Sequence, residues 1–227
     1  ATGGAVAQGS DFSYPISYGI CSWNGSVNIS GGHVTANGGT SEDHSYGIFA
    51  DEDVIVTGGT VTANGGKSNS DSHGIRADSV SVRGGTVYAN GGVTTGSSCG
   101  IYAGSVEVTG GYIYANDSGS ATVTATSGSS YGIYSMGSVT IGDPDTYTGE
   151  VNAYGARATG SGSDSYGIYA GGDVTVEDAN VTATGGKAGG DSYGIRAYEG
   201  SVTISGGTVK ATGGEAGGDS CGICADH

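Results

Sequence analysis

The sequence predicts an all-β chain wound as a right-handed parallel β-solenoid, with three short strands per rung of about 27 residues and about eight rungs. Three observations carry this. The chain of 227 residues has 49 glycines and two prolines, no leucine and no Gly-X-Y period, so helical and collagen folds are both excluded. A motif [Tyr/His/Cys]-Gly-Ile recurs eight times, at Tyr18, Tyr46, His73, Cys99, Tyr131, Tyr166, Tyr193 and Cys221, with spacings between 26 and 35 residues. Between copies, β-branched residues alternate with polar ones at period two, and Gly-Gly pairs punctuate them.

Each unit opens on "YGIYA", continues through "SVTV" and a Gly-Gly pair to "TVTAT" or "TVTAN", and closes on another "GG" and a polar loop. Alternation assigns one face of each strand to the interior, which in the copy at Tyr46 gives Ile48, Ala50, Val54, Val56, Val61 and Ala63. The pairs Gly58-Gly59, Gly84-Gly85, Gly110-Gly111 and Gly206-Gly207 fall where the chain must turn a corner. A propeller blade needs four strands in about 40 residues. Three strands with two corners and a loop describe instead one rung of a triangular solenoid, each strand pairing with its counterpart about 4.8 Å away. One rung cannot bury enough surface to fold alone, so the expected unit is a single array over residues 1–227. Insertions lengthen the loop at 116–130 and the corner at 142–151.

By the same alternation, the motif-start column points inward to plug a corner of the core. The residue three positions on points outward, and that column reads Cys21, Phe49, Arg76, Tyr102, Tyr134, Tyr169, Arg196, Cys224. Tyr102, Tyr134 and Tyr169 at rung spacing make a stripe that is either a stiffening aromatic ladder or a platform for sugar rings. Asp164, Asp191 and Asp219, each before a Ser, form a second column that could bridge rungs through Ca²⁺ or close the loop as Asx turns. Thr60, Thr62 and Asn64 share a face of the kind that binds ice, but His33, Tyr88, Tyr112, Tyr114, Glu150 and Lys210 interrupt it in other rungs.

The seven basic residues are scattered singly over the array. His33, His44, His73 and His227 show no triad or metal-ligand spacing, and Asp143 with Asp145 sits on a Pro-Gly bulge suited to a turn. The chain is therefore not expected to be an enzyme. A formal net charge of −15 disfavours nucleic acid and anionic lipid, and no apolar run reaches the ~20 residues of a membrane span. No basic-then-apolar segment opens the chain at Ala1, which reads as a mature product or an excised part.

Cysteines follow the rung geometry. Cys21, Cys99 and the pair Cys221/Cys224 lie on the first, fourth and eighth rungs, too far apart to bridge. Cys221 and Cys224, about 10 Å apart along an extended strand, are expected to face opposite ways. No internal disulfide is expected. Cys21 and Cys224 share a column on the first and last rungs. With "ATGG" opening the chain on a third strand, either copies stack head-to-tail with a Cys21–Cys224 link, or the chain is cut from a longer array and the cysteines are free thiols.

The strings "SYGIYA", "GSVTISGGTVKATGG" and "GGDVTV" resemble Gly/Thr/Val-rich repeats of large secreted surface proteins in Clostridia-like Gram-positive bacteria, some of them labelled carbohydrate-binding. The resemblance covers essentially the whole chain and implies a secreted or cell-surface setting, with no catalytic residue to carry over. The functional expectation is an extracellular structural or adhesive β-solenoid stacking into a filament, with glycan binding on the Tyr stripe and ice binding as alternatives.

Overall fold

The computed structural model describes residues 15–116, 123–143 and 149–226, among which there is no helix. Asp145, His227, the opening "ATGG" and the middle of both insertions lie outside them. The chain winds as a parallel β-solenoid of seven three-sided turns and the first strand of an eighth. The first turn is β1 (Ser17–Ser22), β2 (Val27–Ile29) and β3 (His33–Asn37). The second is β4 (Ser45–Ala50), β5 (Asp53–Val56) and β6 (Thr60–Asn64). In the third and fourth turns the three sides run together as β7 (Ser72–Asn90) and, after β8 (Val93–Thr94), β9 (Ser98–Ala115). After β10 (Thr124–Ala125) the fifth turn is β11 (Ser130–Ser135), β12 (Val139–Gly142) and β13 (Glu150–Tyr154). After β14 (Arg157–Ala158) come β15 (Ser165–Ala170), β16 (Val174–Glu177) and β17 (Ala179–Thr184). The last full turn is β18 (Ser192–Ala197), β19 (Val202–Ile204) and β20 (Gly207–Thr212), followed by β21 (Ser220–Ala225).

Every strand pairs in parallel with its counterpart one turn away, in the register of the repeat: Ile48 on Ile75, Val61 on Val87, Ala183 on Ala211. The six interior residues expected at the second turn are all buried, none above 2% exposed. Stacking one side chain on its own kind lets each turn fill the same cross-section, so one core runs the length of the array. Corners form as expected, with Gly59 and Gly85 at φ +85° and +83°. In the sixth turn that corner is taken by Asp178, φ +46°, in the left-handed region that Asp enters more readily than most residues.

Two features were not expected. The loop after the third strand is itself a ladder. β8, β10 and β14 pair side by side, and single bridges extend the column through Ser41, Ser68, Thr94, Ala125, Ala158, Ala188 and Ala216. Each turn thus has a short fourth side, closed with small residues.

The second feature is a serine before every motif copy, from Ser17 to Ser220. Ser165, fully buried, donates its hydroxyl to the Ala156 carbonyl at 2.8 Å and accepts the Gly186 N–H of the next turn at 2.8 Å. Ser192 repeats this with the Gly186 carbonyl and the Gly214 N–H. One hydroxyl therefore satisfies two partly buried backbone groups on adjacent turns. Ser165→Ala leaves both unpaired and should cost about 2 kcal/mol in thermal or denaturant unfolding, whereas exposed Ser161→Ala should leave the midpoint unchanged.

Candidate functional site

Among the described residues, the outer surface of the first side carries a dense cluster of aromatic and titratable groups. It arises from the backbone of the motif. A Cβ built on Gly167 would lie 2.5 Å from the Thr184 nitrogen and 2.6 Å from the Gly194 carbonyl oxygen. Gly167 thus faces inward against the third strand of its own turn. Ile168, next to it, is fully buried in the core. Two consecutive residues face in, so the residues on either side, Tyr166 and Tyr169, both lie on the outer side of the strand, outside the interior core, where neighbouring rings leave Tyr166 only 5% exposed.

This corrects the expectation that the motif-start column plugs the core. Its rings pack instead on the column three residues on, as in Tyr131–Tyr134 and Tyr166–Tyr169, edge-on with centroids 4.9 and 5.2 Å apart. Along the axis each column stacks face to face. Tyr131–Tyr166–Tyr193 are spaced at 4.9 and 5.2 Å, and Tyr102–Tyr134–Tyr169 at 4.8 and 5.1 Å. Tyr134 has a neighbouring ring on each face, which leaves its edge and hydroxyl to solvent rather than a face for a sugar. Cations interleave the rings. Arg76 Cζ lies 5.6 Å from the Tyr46 centroid and 5.5 Å from that of Tyr102, and Arg196 Cζ lies 4.6 Å from that of Tyr193. Burial pushes the Tyr46 hydroxyl up to about 12 and raises those of Tyr131 and Tyr166, so the row stays neutral.

The aspartate column borders this row. Asp164 Oδ1 accepts the Asp191 N–H at 2.7 Å, and Asp191 Oδ1 accepts the Asp219 N–H at 2.8 Å. The second oxygens take the hydroxyls of Tyr166, at 2.8 Å from Asp164, and Tyr193, at 2.9 Å from Asp191. These bonds, the backbone one first, hold the Asp191 carboxyl below its ordinary range. Asp71 takes the Ser97 N–H in the same way, and His44 Nδ1 takes the Asp71 N–H. The column therefore reaches from turn to turn through hydrogen bonds. Among the described residues no three His, Cys, Asp or Glu side chains gather as a metal would require.

On the third side, Thr60 stacks between His33 and Thr86, and Thr62 between Thr35 and Tyr88. Tyr88 stacks on Tyr114 with centroids 5.0 Å apart. The threonines thus form no continuous array.

The register carries Cys21 and Cys224 in one column, as expected, opposite Phe49 and Arg196 respectively. All four cysteines are free thiols, with Cys99 buried. The expectation that Cys221 and Cys224 face opposite ways is overturned, because the two inward residues between them, Gly222 and Ile223, return both thiols to the same outer face. Their register partners one turn back, Tyr193 and Arg196, lie on one face, with the Arg196 Cζ 4.6 Å from the Tyr193 centroid. The signal for this lay in the sequence: glycine occupies the second motif position in all eight copies.

With this geometry the chain is a parallel β-solenoid repeat protein. A beta helix repeat family model matches residues 27–48, 54–75 and 202–223. Each matched stretch runs from a second strand through the third to the next turn's first strand, the same rung read from a different starting point. No curated protein and no solved structure matches the chain.

Proposed function

We propose that this chain is a structural element of an extracellular surface, a rigid solenoid that lengthens when the last turn of one copy stacks on the first turn of the next. The observation that carries this is the edge at β19–β21. Ile204 and Ile223 are 45% and 43% exposed, while Val176 and Ile195, their register partners one turn back, are fully buried. That edge also presents unpaired strand groups in the geometry that every internal turn accepts, the feature that drives strands to add to one another. A second copy offers a matching turn of β1–β3, with Ile20, Val27 and Val34 in the core columns. The shared column of Cys21 and Cys224 supports a covalent link at the joint. The aromatic rows and serine and aspartate ladders support a stiffening role, since each bonds one turn to the next.

Sedimentation velocity over a range of concentrations tests the stacking. The expected result is species that grow with concentration, suppressed by Ile223→Lys at the edge. A disulfide-linked series on non-reducing gels should disappear with Cys21→Ser. A monomer at every concentration would show that something other than a second copy covers this edge.

A further inference from the structure

We propose that the outer tyrosine column is a site of oxidative cross-linking, in which stacked phenols on adjacent turns couple into dityrosine and tie turn to turn covalently. The oxidant is hydrogen peroxide acting through a haem peroxidase. Each link lies within one chain, so the inference goes beyond the stacking of copies and does not depend on it.

The register pairs Tyr134 with Tyr102 on one side and with Tyr169 on the other. Ring centroids lie 4.8 and 5.1 Å apart, with the planes within 10° and 4° of parallel. Paired residues of neighbouring strands start about 4.8 Å apart and point the same way, so the carbons beside the two hydroxyls lie over one another. A tilt of the rings about their own side-chain bonds brings those carbons together without moving either strand. All three tyrosines are only partly buried. The same arrangement recurs on the third side at Tyr88 and Tyr114, register partners 5.0 Å apart, 14° from parallel and again partly buried. Tyr166 and Tyr193 stack as closely, but each is 5% exposed and bonded through its hydroxyl to an aspartate, Asp164 or Asp191. Those bonds fix their rings, so coupling falls to the outer pairs.

Each phenol of a pair gives up one electron and one proton and becomes a phenoxyl radical. The two radicals join through the ring carbons next to the oxygens, forming one carbon–carbon bond. The hydrogens on those two carbons then move to the oxygens, which restores both phenols. Two hydrogens have left the protein in all, and they reduce one hydrogen peroxide to two waters.

The test treats the dilute chain with hydrogen peroxide and a haem peroxidase, then follows dityrosine fluorescence, reducing gels and peptide mapping. The expected product fluoresces, runs as a single chain and yields linked peptides that join Tyr134 to Tyr102 or Tyr169, and Tyr88 to Tyr114. Tyr134→Phe keeps a stacked ring and removes the phenol that both neighbours share. It should abolish the links of the outer column and leave the Tyr88–Tyr114 link in place. Oxidation of the chain unfolded in urea should lose this selectivity and scatter links among other tyrosines. Absence of dityrosine, links found only between copies, the same linked peptides from the unfolded chain, or an outer-column link that survives Tyr134→Phe would each overturn the proposal.

Discussion

Gly167→Ala is expected to cost about 3 kcal/mol or more and to separate the sixth turn from its neighbours. The new methyl would meet the Thr184 nitrogen at 2.5 Å, the Gly194 oxygen at 2.6 Å and the Ala183 carbonyl carbon at 2.9 Å. All three are backbone atoms held in ladders, so relief requires moving β15 away from β17 rather than turning a side chain. Loss of packing there also removes the contact that sends Tyr166 and Tyr169 to the same outer face. The matched control is Gly31→Ala, where nothing lies within 4 Å of the added carbon and φ is not positive. Chemical denaturation of the two variants should show a large fall in midpoint for the first and a shift within about 0.5 kcal/mol for the second. Equal effects would place the importance of glycine in chain entropy rather than in strand approach.

The second large effect is a loss of stability on mild acidification, centred on His73. The ring is stacked between Tyr46 and Tyr102, with centroids 5.4 and 5.0 Å away. It is 3% exposed, and Nδ1 has no hydrogen-bond partner. Burial lowers its pKa from 6.5 to about 4, with Arg76 and His44 pushing the same way against Asp71. The unfolded chain therefore binds more protons than the folded one between those values. Stability is fully present above about pH 6.5 and falls as the pH drops toward 4, by up to about 1.4 kcal/mol per unit. His73→Tyr substitutes the residue of the adjoining turn, Tyr46. Its melting temperature should fall less than that of the parent between pH 7 and pH 4.5. Parallel pH profiles would show that His73 is not buried in its neutral form.

The array, its register and its core were legible in the sequence because they rest on period two and on the repeat. Val54, Val61 and Ala63 need only alternation and a corner to be placed inside. The face of the motif-start column was not, because alternation counts side chains and glycine has none to count. The inward pair Gly167-Ile168 depends on the approach of β17, a contact set by the cross-section of the turn and invisible to local pattern. For the same reason alternation alone puts Cys221 and Cys224 on opposite faces. The fourth side has no local signature because Ser41, Ser68, Thr94 and Ala125 are small residues set among other small residues. The serine column was visible in all eight copies, yet its role needs the two backbone partners, the Ala156 carbonyl and the Gly186 N–H, that only the stacked turns bring together.

These columns serve a single end, which is to bond each turn to the next. What decides the proposed stacking is how the turn at β19–β21 behaves when a second copy is present. Electron microscopy of the purified chain at rising concentration tests it most directly. One copy of about eight rungs spans on the order of 35–40 Å along the axis at the strand spacing of a sheet. The expected result is unbranched rods one solenoid wide, longer at higher concentration and shortened by Ile223→Lys. A field of single particles no longer than one copy, unchanged by concentration or by the substitution, would contradict it.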